Sequence, residues 1–216
     1  MTLKLYYHPL SSFCWKTLIA LYESDTPFEP VLVNLGEEKS RADFLAIWPI
    51  GKFPVLRDET RDWMIPESSI IIEYLAQHYP GRSKLVPTDP DVARQVRMRD
   101  RFFDLYIHVP MQRIVGERLR PKDQRDPLGV EQARSQMKTA LAMLDGEIGS
   151  KQWAMGDSYT MADCAASPPL FYADKIGMMA AHKNARAYLD RLKARPSFAR
   201  VLKEAEPYFA MFPSED

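Results

Sequence analysis

The sequence predicts an α/β unit followed by an all-helical unit, and three observations carry that reading. Residues 3–78 alternate period-two apolar runs with helical stripes. Residues 79–90, YPGRSKLVPTDP, hold three prolines and a glycine, the composition of a linker. Beyond them the apolar patterns have helical period and no convincing strand stands out. The boundaries read as 1–80 for the first unit, 81–88 for the linker and 89–216 for the second.

Taken in order, LKLYYH (3–8) alternates apolar and polar side chains with aromatics, a strand pattern. Trp15, Leu18, Ile19 and Tyr22 then fall at i, i+3, i+4 and i+7, one face of a helix. FEPVLVNL (28–35) returns to β-branched and apolar residues, a second strand. FLAIW (44–48) predicts a short helix ended by Pro49 and Gly51. FPVLRD and RDWMIP flank the charged turn DET and predict a hairpin. IIEYLAQHY closes the unit as a helix, with Ile71, Leu75 and His78 on one side.

In the second unit, Val92, Val96, Phe103 and Ile107 form one helical stripe, which Pro110 is expected to kink or end. Ala133, Met137, Ala140, Leu141, Leu144 and Ile148 form another. TMAD (160–163) marks a helix start, with Thr160 as N-cap and Asp163 where a capping box would carry Glu. Pro168 and Pro169 fall inside that helix and predict a bend. Two shorter helices fit 184–194 and 197–205.

Composition narrows the function classes. Hydrophobic residues at 46% and charged residues at 27% suit a globular protein with a full core. Lys plus Arg equals Asp plus Glu at 29 each, so no bulk charge argues for nucleic acid or an anionic membrane. MTLKLYYHPL lacks the apolar core of a secretory leader, and no run is long enough to span a bilayer. The two cysteines, Cys14 and Cys164, are too few for a disulfide scaffold, so a reducing cytoplasm is expected. There is no Walker loop, G-x-S-x-G, G-x-G-x-x-G or H-E-x-x-H, and the four histidines lack ligand spacing. No metal site is expected.

Three short stretches carry chemistry. SSFC (11–14) lies between the first strand and the first helix, where backbone N–H groups and the helix dipole favour an anion. In a thioredoxin-like β-α-β start a Cys-x-x-Cys pair would sit here, but Ser11 stands first and only Cys14 remains. A hydroxyl at a helix start can donate to a thiolate brought by a ligand, or simply cap the helix. In GKFPVLRD (51–58) a proline interrupts a strand pattern. A cis Pro54 would free the backbone of Phe53 to pair with a peptide-like ligand; a trans Pro54 would open an edge strand. In ESSIIIEYL (67–75) Ser68 precedes a helix, a second anion site, and Glu67 offers a carboxylate to an ammonium group. One carboxylate beside one anion site suits an α-amino acid end.

SSFCWKTLIAL, GKFPVLRD and PESSIIIEYL, in this order and spacing, resemble the glutathione transferase family, and TMAD resembles that family's C-terminal domain. The likeness covers essentially the whole chain. It implies a thioredoxin-like domain that holds glutathione, an all-helical domain shaping a second-substrate site, a homodimer and a role in detoxification. Ser11 matches the position that contacts the glutathione sulfur in the serine and cysteine subgroups, with Ser12 as the second candidate. Phe53, ahead of Pro54, would pair with the cysteinyl backbone, and Glu67 and Ser68 would hold the γ-glutamyl end. Lys39 and Lys52 match positions that meet the glycine carboxylate. Tyr106, Met111, Phe209 and Phe212 are candidate walls of the second-substrate pocket.

The pattern is similar to zeta-like isomerases as well, which carry a cysteine where Phe13 stands. Cysteine-dependent thiol transferases place their cysteine nearer position 11 than Cys14. Tyr6 and Tyr7 stand where tyrosine-dependent subgroups have tyrosines, though Ser11 leaves them a packing role. The implied reaction is attack by the glutathione thiolate on a small hydrophobic electrophile. The alternatives are a non-catalytic scaffold or regulatory protein, for which the arginine-rich segment 94–125 offers a surface, and a glutathione-dependent thiol reductase or isomerase.

Overall fold

The computed structural model describes residues 2–213. Strands β1 (Leu3–Tyr7), β2 (Glu29–Leu32), β3 (Val55–Asp58) and β4 (Trp63–Pro66) form a sheet in the order β2-β1-β3-β4. β1 runs parallel to β2 and antiparallel to β3, and β3 is antiparallel to β4. Leu3 and Leu5 point into the core, as their period-two spacing predicts. Helix α1 (Ser12–Glu23) makes the crossover from β1 to β2, α2 (Glu38–Ile47) follows β2, and α3 (Ser68–His78) follows β4. α2 begins six residues earlier than the FLAIW stretch suggested. Phe44 is its one buried residue, so its charged first turns carry no apolar stripe to read.

Pro54 stands one residue ahead of β3, and the Phe53–Pro54 bond is cis. The proline therefore never enters the ladder. The hairpin turn is organised by Asp58, whose Oδ1 accepts from the backbone N–H of Thr60 at 2.9 Å and of Arg61 at 3.3 Å.

The second unit is helical: α4 (Pro90–Phe102), α5 (Val109–Arg118), α6 (Pro127–Ile148), α7 (Met161–Lys175), α8 (Lys183–Ala194) and α9 (Pro196–Ala205). A π-helical segment, Phe103–His108, joins α4 to α5, and a 3₁₀ turn, Glu206–Met211, follows α9. Of the two outcomes expected at Pro110, a kink or an end, the helix does not end there. The proline's missing N–H and its ring are accommodated by the wider π turn immediately before it, and the chain continues as α5. α7 likewise runs unbroken through Pro168 and Pro169. Its start is a capping box: Asp163 Oδ2 accepts from Thr160 N–H at 2.8 Å, and Thr160 Oγ1 accepts from Ala162 N–H at 3.3 Å.

α1 sits between the units. It packs on α3 from its own side and on α7 and α9 from the other, and its residues from Cys14 to Leu21 are all buried. One continuous hydrophobic core consequently runs through both units, with Trp15 stacked on Tyr172 of α7. A smaller cluster of Val33, Phe44 and Val55 lies under α2.

Candidate active site

The loop after β1, the start of α1 and the loop before Pro54 face α5, α7 and the C-terminal turn across a cavity of about 490 Å³. Ser11 is the N-cap of α1, with an extended backbone and an Oγ that accepts from the Cys14 N–H at 3.4 Å. Ser12 is the first helical residue, nearly buried, and its Oγ lies 2.5 Å from Nε2 of His108. Both serines line the cavity. First-turn N–H groups of a helix lack intrahelical acceptors, so this mouth favours a negative charge. His8 and Phe53 stack on the same side, ring centroids 6.0 Å apart. The opposite wall is mostly apolar, built by Met111 and Val115 of α5, Leu119, Tyr172 and Phe212, with Gln112 as a polar side chain among them. Apolar walls with a few convergent polar groups are the usual form of a small-molecule site.

The sequence-derived residues divide into two groups. Ser11, Ser12, Phe53, Met111 and Phe212 line this cavity. Val55 pairs with Pro66 in the β3–β4 ladder, so the antiparallel register carries Phe53 and Pro54 alongside Glu67 and Ser68. Ser68 is buried as the first residue of α3; Glu67 is exposed at its N-cap, with φ 71° and ψ 120°, a backbone region unusual for a residue with a side chain. Lys52 adjoins Phe53 but is exposed and lies outside the lining.

Three expectations need correcting. Lys39 lines a separate cleft of about 220 Å³ between β2 and α2, where its ammonium is held 2.6 Å from Asp43. Tyr106 faces outward beside Phe102, in a cleft closed by Gln136 and Met143 of α6. Phe209 is half-buried against the core and outside the cavity lining, stacked on Phe171 at 5.8 Å. The arginine-rich segment is not a bare basic surface either. Arg97 pairs with Glu73, Arg99 with Glu147, Arg101 with Asp100 and Asp104, and Arg113 with Asp126.

Cys14 is wholly buried, and burial pushes its thiol up to about 12 despite the opposing Ser11 hydrogen bond. A protonated, inaccessible thiol is a poor nucleophile, which argues against thiol reduction through Cys14. Sequence reasoning missed His8, Tyr172 and, above all, the buried polar group beneath Ser12. Lys16, fully buried, lies 2.6 Å from Asp100 and 2.8 Å from Asp104 and donates to Ser69 at 2.8 Å. A signal was present: Asp100, Asp104 and His108 recur every four residues beside the apolar stripe of Val96, Phe103 and Ile107.

Residues 5–83 match the model of the glutathione S-transferase N-terminal domain, and residues 127–191 match that of the glutathione S-transferase C-terminal domain. The chain belongs to the glutathione transferase family. Within the family it is 26% identical over 191 residues to glutathione S-transferase GstB of Escherichia coli, across 87% of this chain and 91% of that protein. It is 28% identical over 221 residues to a maleylacetoacetate isomerase of Pseudomonas aeruginosa, across 96% and 98%. A glutathione S-transferase of Methylobacterium radiotolerans, solved in complex with glutathione sulfonate, superposes with a TM-score of 0.80 at 28% identity, covering 92% of this chain and 93% of that one. The four-stranded sheet followed by a helical domain is the glutathione transferase fold. Among the described residues no helix is long and apolar enough to cross a membrane, and no group of His, Cys, Asp and Glu has the arrangement of a metal site.

Proposed function

We propose that this chain is a glutathione transferase that activates the glutathione thiol for attack on a small hydrophobic electrophile. The observation that carries this reading is the cavity itself: two serine hydroxyls at the start of α1 on one side, an apolar wall of Met111, Val115, Tyr172 and Phe212 on the other. Glutathione is a tripeptide with an α-amino acid end, a central thiol and a second carboxylate. Its γ-glutamyl end fits Glu67, which offers a carboxylate to the ammonium, and the N-terminus of α3 at Ser68, which suits the carboxylate. Its cysteinyl backbone fits the main chain of Phe53 beside Pro54. That pose delivers the sulfur to Ser11 and Ser12. A hydroxyl donating to sulfur, together with the α1 N-terminus, favours the thiolate over the thiol and lowers its pKa. Lys52 is retained as an exposed cation near the glycine end. A cytoplasmic homodimer is part of the same reading.

Calorimetric titration of glutathione into the purified protein tests it, followed by conjugation assays with a panel of small electrophiles. Saturable binding at one site per chain is expected. Replacing both serines in a Ser11→Ala, Ser12→Ala double variant should leave binding in place while kcat falls about 100-fold, the scale of losing a charge-stabilising donor. Absence of binding to the unmodified protein would sink the reading.

A further inference from the structure

α1 and the α4–π segment lay matching polar ladders against each other inside an otherwise apolar interface. Ser12 and Lys16 stand one turn apart on α1, facing Asp100, Asp104 and His108 at one-turn intervals. All five side chains are buried. Lys16 ties the deep end together between Asp100 and Asp104. At the cavity end Ser12 Oγ lies 2.5 Å from Nε2 of His108, whose ring stacks on Phe13 with centroids 3.8 Å apart. Nδ1 of His108 faces Oδ1 of Asp104 across 3.8 Å, beyond hydrogen-bond distance, and neither atom has a hydrogen-bond partner among the described residues.

Charge states decide which way the protons point. Burial would raise Asp104, but the nearby His108 ring and the Lys16 ammonium outweigh it and hold the carboxyl well below its ordinary value. The negative charge of the carboxylate, 3.8 Å away, favours the tautomer of His108 with its ring proton on Nδ1. Burial lowers the pKa of His108, with Lys16 acting in the same direction and Asp104 opposing both, so the resting ring is neutral. Nε2 is then a bare acceptor, the Ser12 hydroxyl donates to it, and the two lone pairs of Ser12 Oγ remain to accept a proton.

We propose that Ser12, His108 and Asp104 form a proton relay that takes the proton from a thiol bound in the cavity; this rests on the transferase reading above. The S–H bond breaks and its proton passes to Ser12 Oγ as the hydroxyl proton of Ser12 passes to Nε2 of His108. The products are a thiolate, a serine hydroxyl donating to that sulfur, and an imidazolium held between Ser12 and the Asp104 carboxylate. Ser12 forms no covalent bond. His108 does not line the cavity; it acts through Ser12, as a positioning residue that also stores the proton.

Arg101 pairs with Asp100 and, like Lys16, with Oδ2 of Asp104, so only Oδ1 of that carboxylate is left toward His108; Ser69 donates to Asp100. The charged groups of the other packed elements are engaged elsewhere. The buried face of α6 is apolar. On α7, Asp163 accepts from Tyr188, Cys164 lies against Tyr159, and Tyr172 donates to the Leu10 carbonyl. On α5, Glu117 pairs with Arg120.

The test begins with glutathione calorimetry on the unmodified protein, where absence of binding overturns the transferase reading and the relay with it. Given binding, the ultraviolet absorption of bound thiolate is titrated against pH in the unmodified protein, His108→Gln and Ser12→Ala. Glutamine can hydrogen-bond Ser12 but cannot hold a proton. Unchanged glutathione affinity at low pH is expected, with the thiolate titration displaced upward by about one pH unit in each variant and kcat/KM at neutral pH reduced at least about tenfold. Coincident titrations of the unmodified protein and either variant overturn the relay while the transferase reading stands. Should His108→Gln fail to fold, nitrogen NMR of the unmodified protein reads the tautomer directly. A ring protonated at Nδ1 is expected, and one protonated at Nε2 overturns the proposal.

Discussion

At the scale of single residues, Lys16 is a costly side chain to bury. An ammonium removed from water is tolerable only when carboxylates surround it, and here Asp100 and Asp104 do so within 2.8 Å. Lys16→Met would strand two buried carboxylates beside Arg101. Chemical denaturation should show a loss of about 3–5 kcal/mol, the range for breaking a buried ion pair from one side. Cys14 behaves oppositely. It is a small apolar filler whose thiol stays protonated at any physiological pH. An alkylating reagent should therefore modify Cys14 only as fast as the fold opens, with a rate that rises with added denaturant; rapid labelling of the native protein would contradict the burial described above.

At the scale of elements, the most demanding junction is the start of α7. The carboxylate of Asp163 accepts from Ala154 N–H, Thr160 N–H and the Tyr188 hydroxyl, at 2.8, 2.8 and 2.6 Å. Asp163→Ala would leave three donors without acceptors in the core. Each unsatisfied group costs about 1–3 kcal/mol, so thermal unfolding should drop by many degrees or the chain should fail to accumulate folded. TMAD made this junction legible in advance, because a capping box is a local pattern with a local cause. The strands and most helices were legible for the same reason. The π turn before Pro110 was not. A proline announces that the α-helical ladder must change, but whether the helix stops, bends or widens depends on what packs around it. The ladder of Asp100, Asp104 and His108 stayed hidden for a related reason. Its partner, Lys16, lies 84 residues earlier than Asp100, and no spacing rule links the two. Of the candidate site, Ser11, Ser12 and Phe53 were legible because they sit at element boundaries with recognisable chemistry, whereas the apolar wall comes from helical side chains that look like any core.

At the scale of the whole molecule, α1 belongs equally to both units, and its far end is clamped as firmly as its near one. Glu23 accepts from Arg195 at 2.6 and 2.7 Å, from Ser197 at 2.5 Å and from Ser83 at 3.0 Å. One shared core implies one unfolding transition. Acid should expose a weak point in that transition. Burial would raise Asp58, but hydrogen bonds from Tyr74 and Tyr79 and from the Thr60 and Arg61 N–H groups outweigh it and bring its pKa from 3.8 down to about 2. A carboxyl depressed on folding stabilises the native state above its unfolded pKa and loses that contribution as pH falls through the folded value. Stability should accordingly decline by about 2 kcal/mol from this group between about pH 4 and pH 2. Asp58→Asn should be less stable at neutral pH and show a shallower acid decline, measured by denaturant titrations across that range.

The stack of Phe212, Tyr172 and Trp15 runs from the cavity surface into the centre of the molecule, with ring centroids 5.3 and 5.0 Å apart along it. Phe212 and Tyr172 line the cavity, while Trp15 is sealed from water. The protein thereby carries its own optical reporter. An aromatic compound settling on Phe212 and Tyr172 alters the surroundings of an indole it never touches, so fluorescence should follow occupancy of the apolar half of the site separately from glutathione. Trp15→Phe should silence that signal and leave the compound bound.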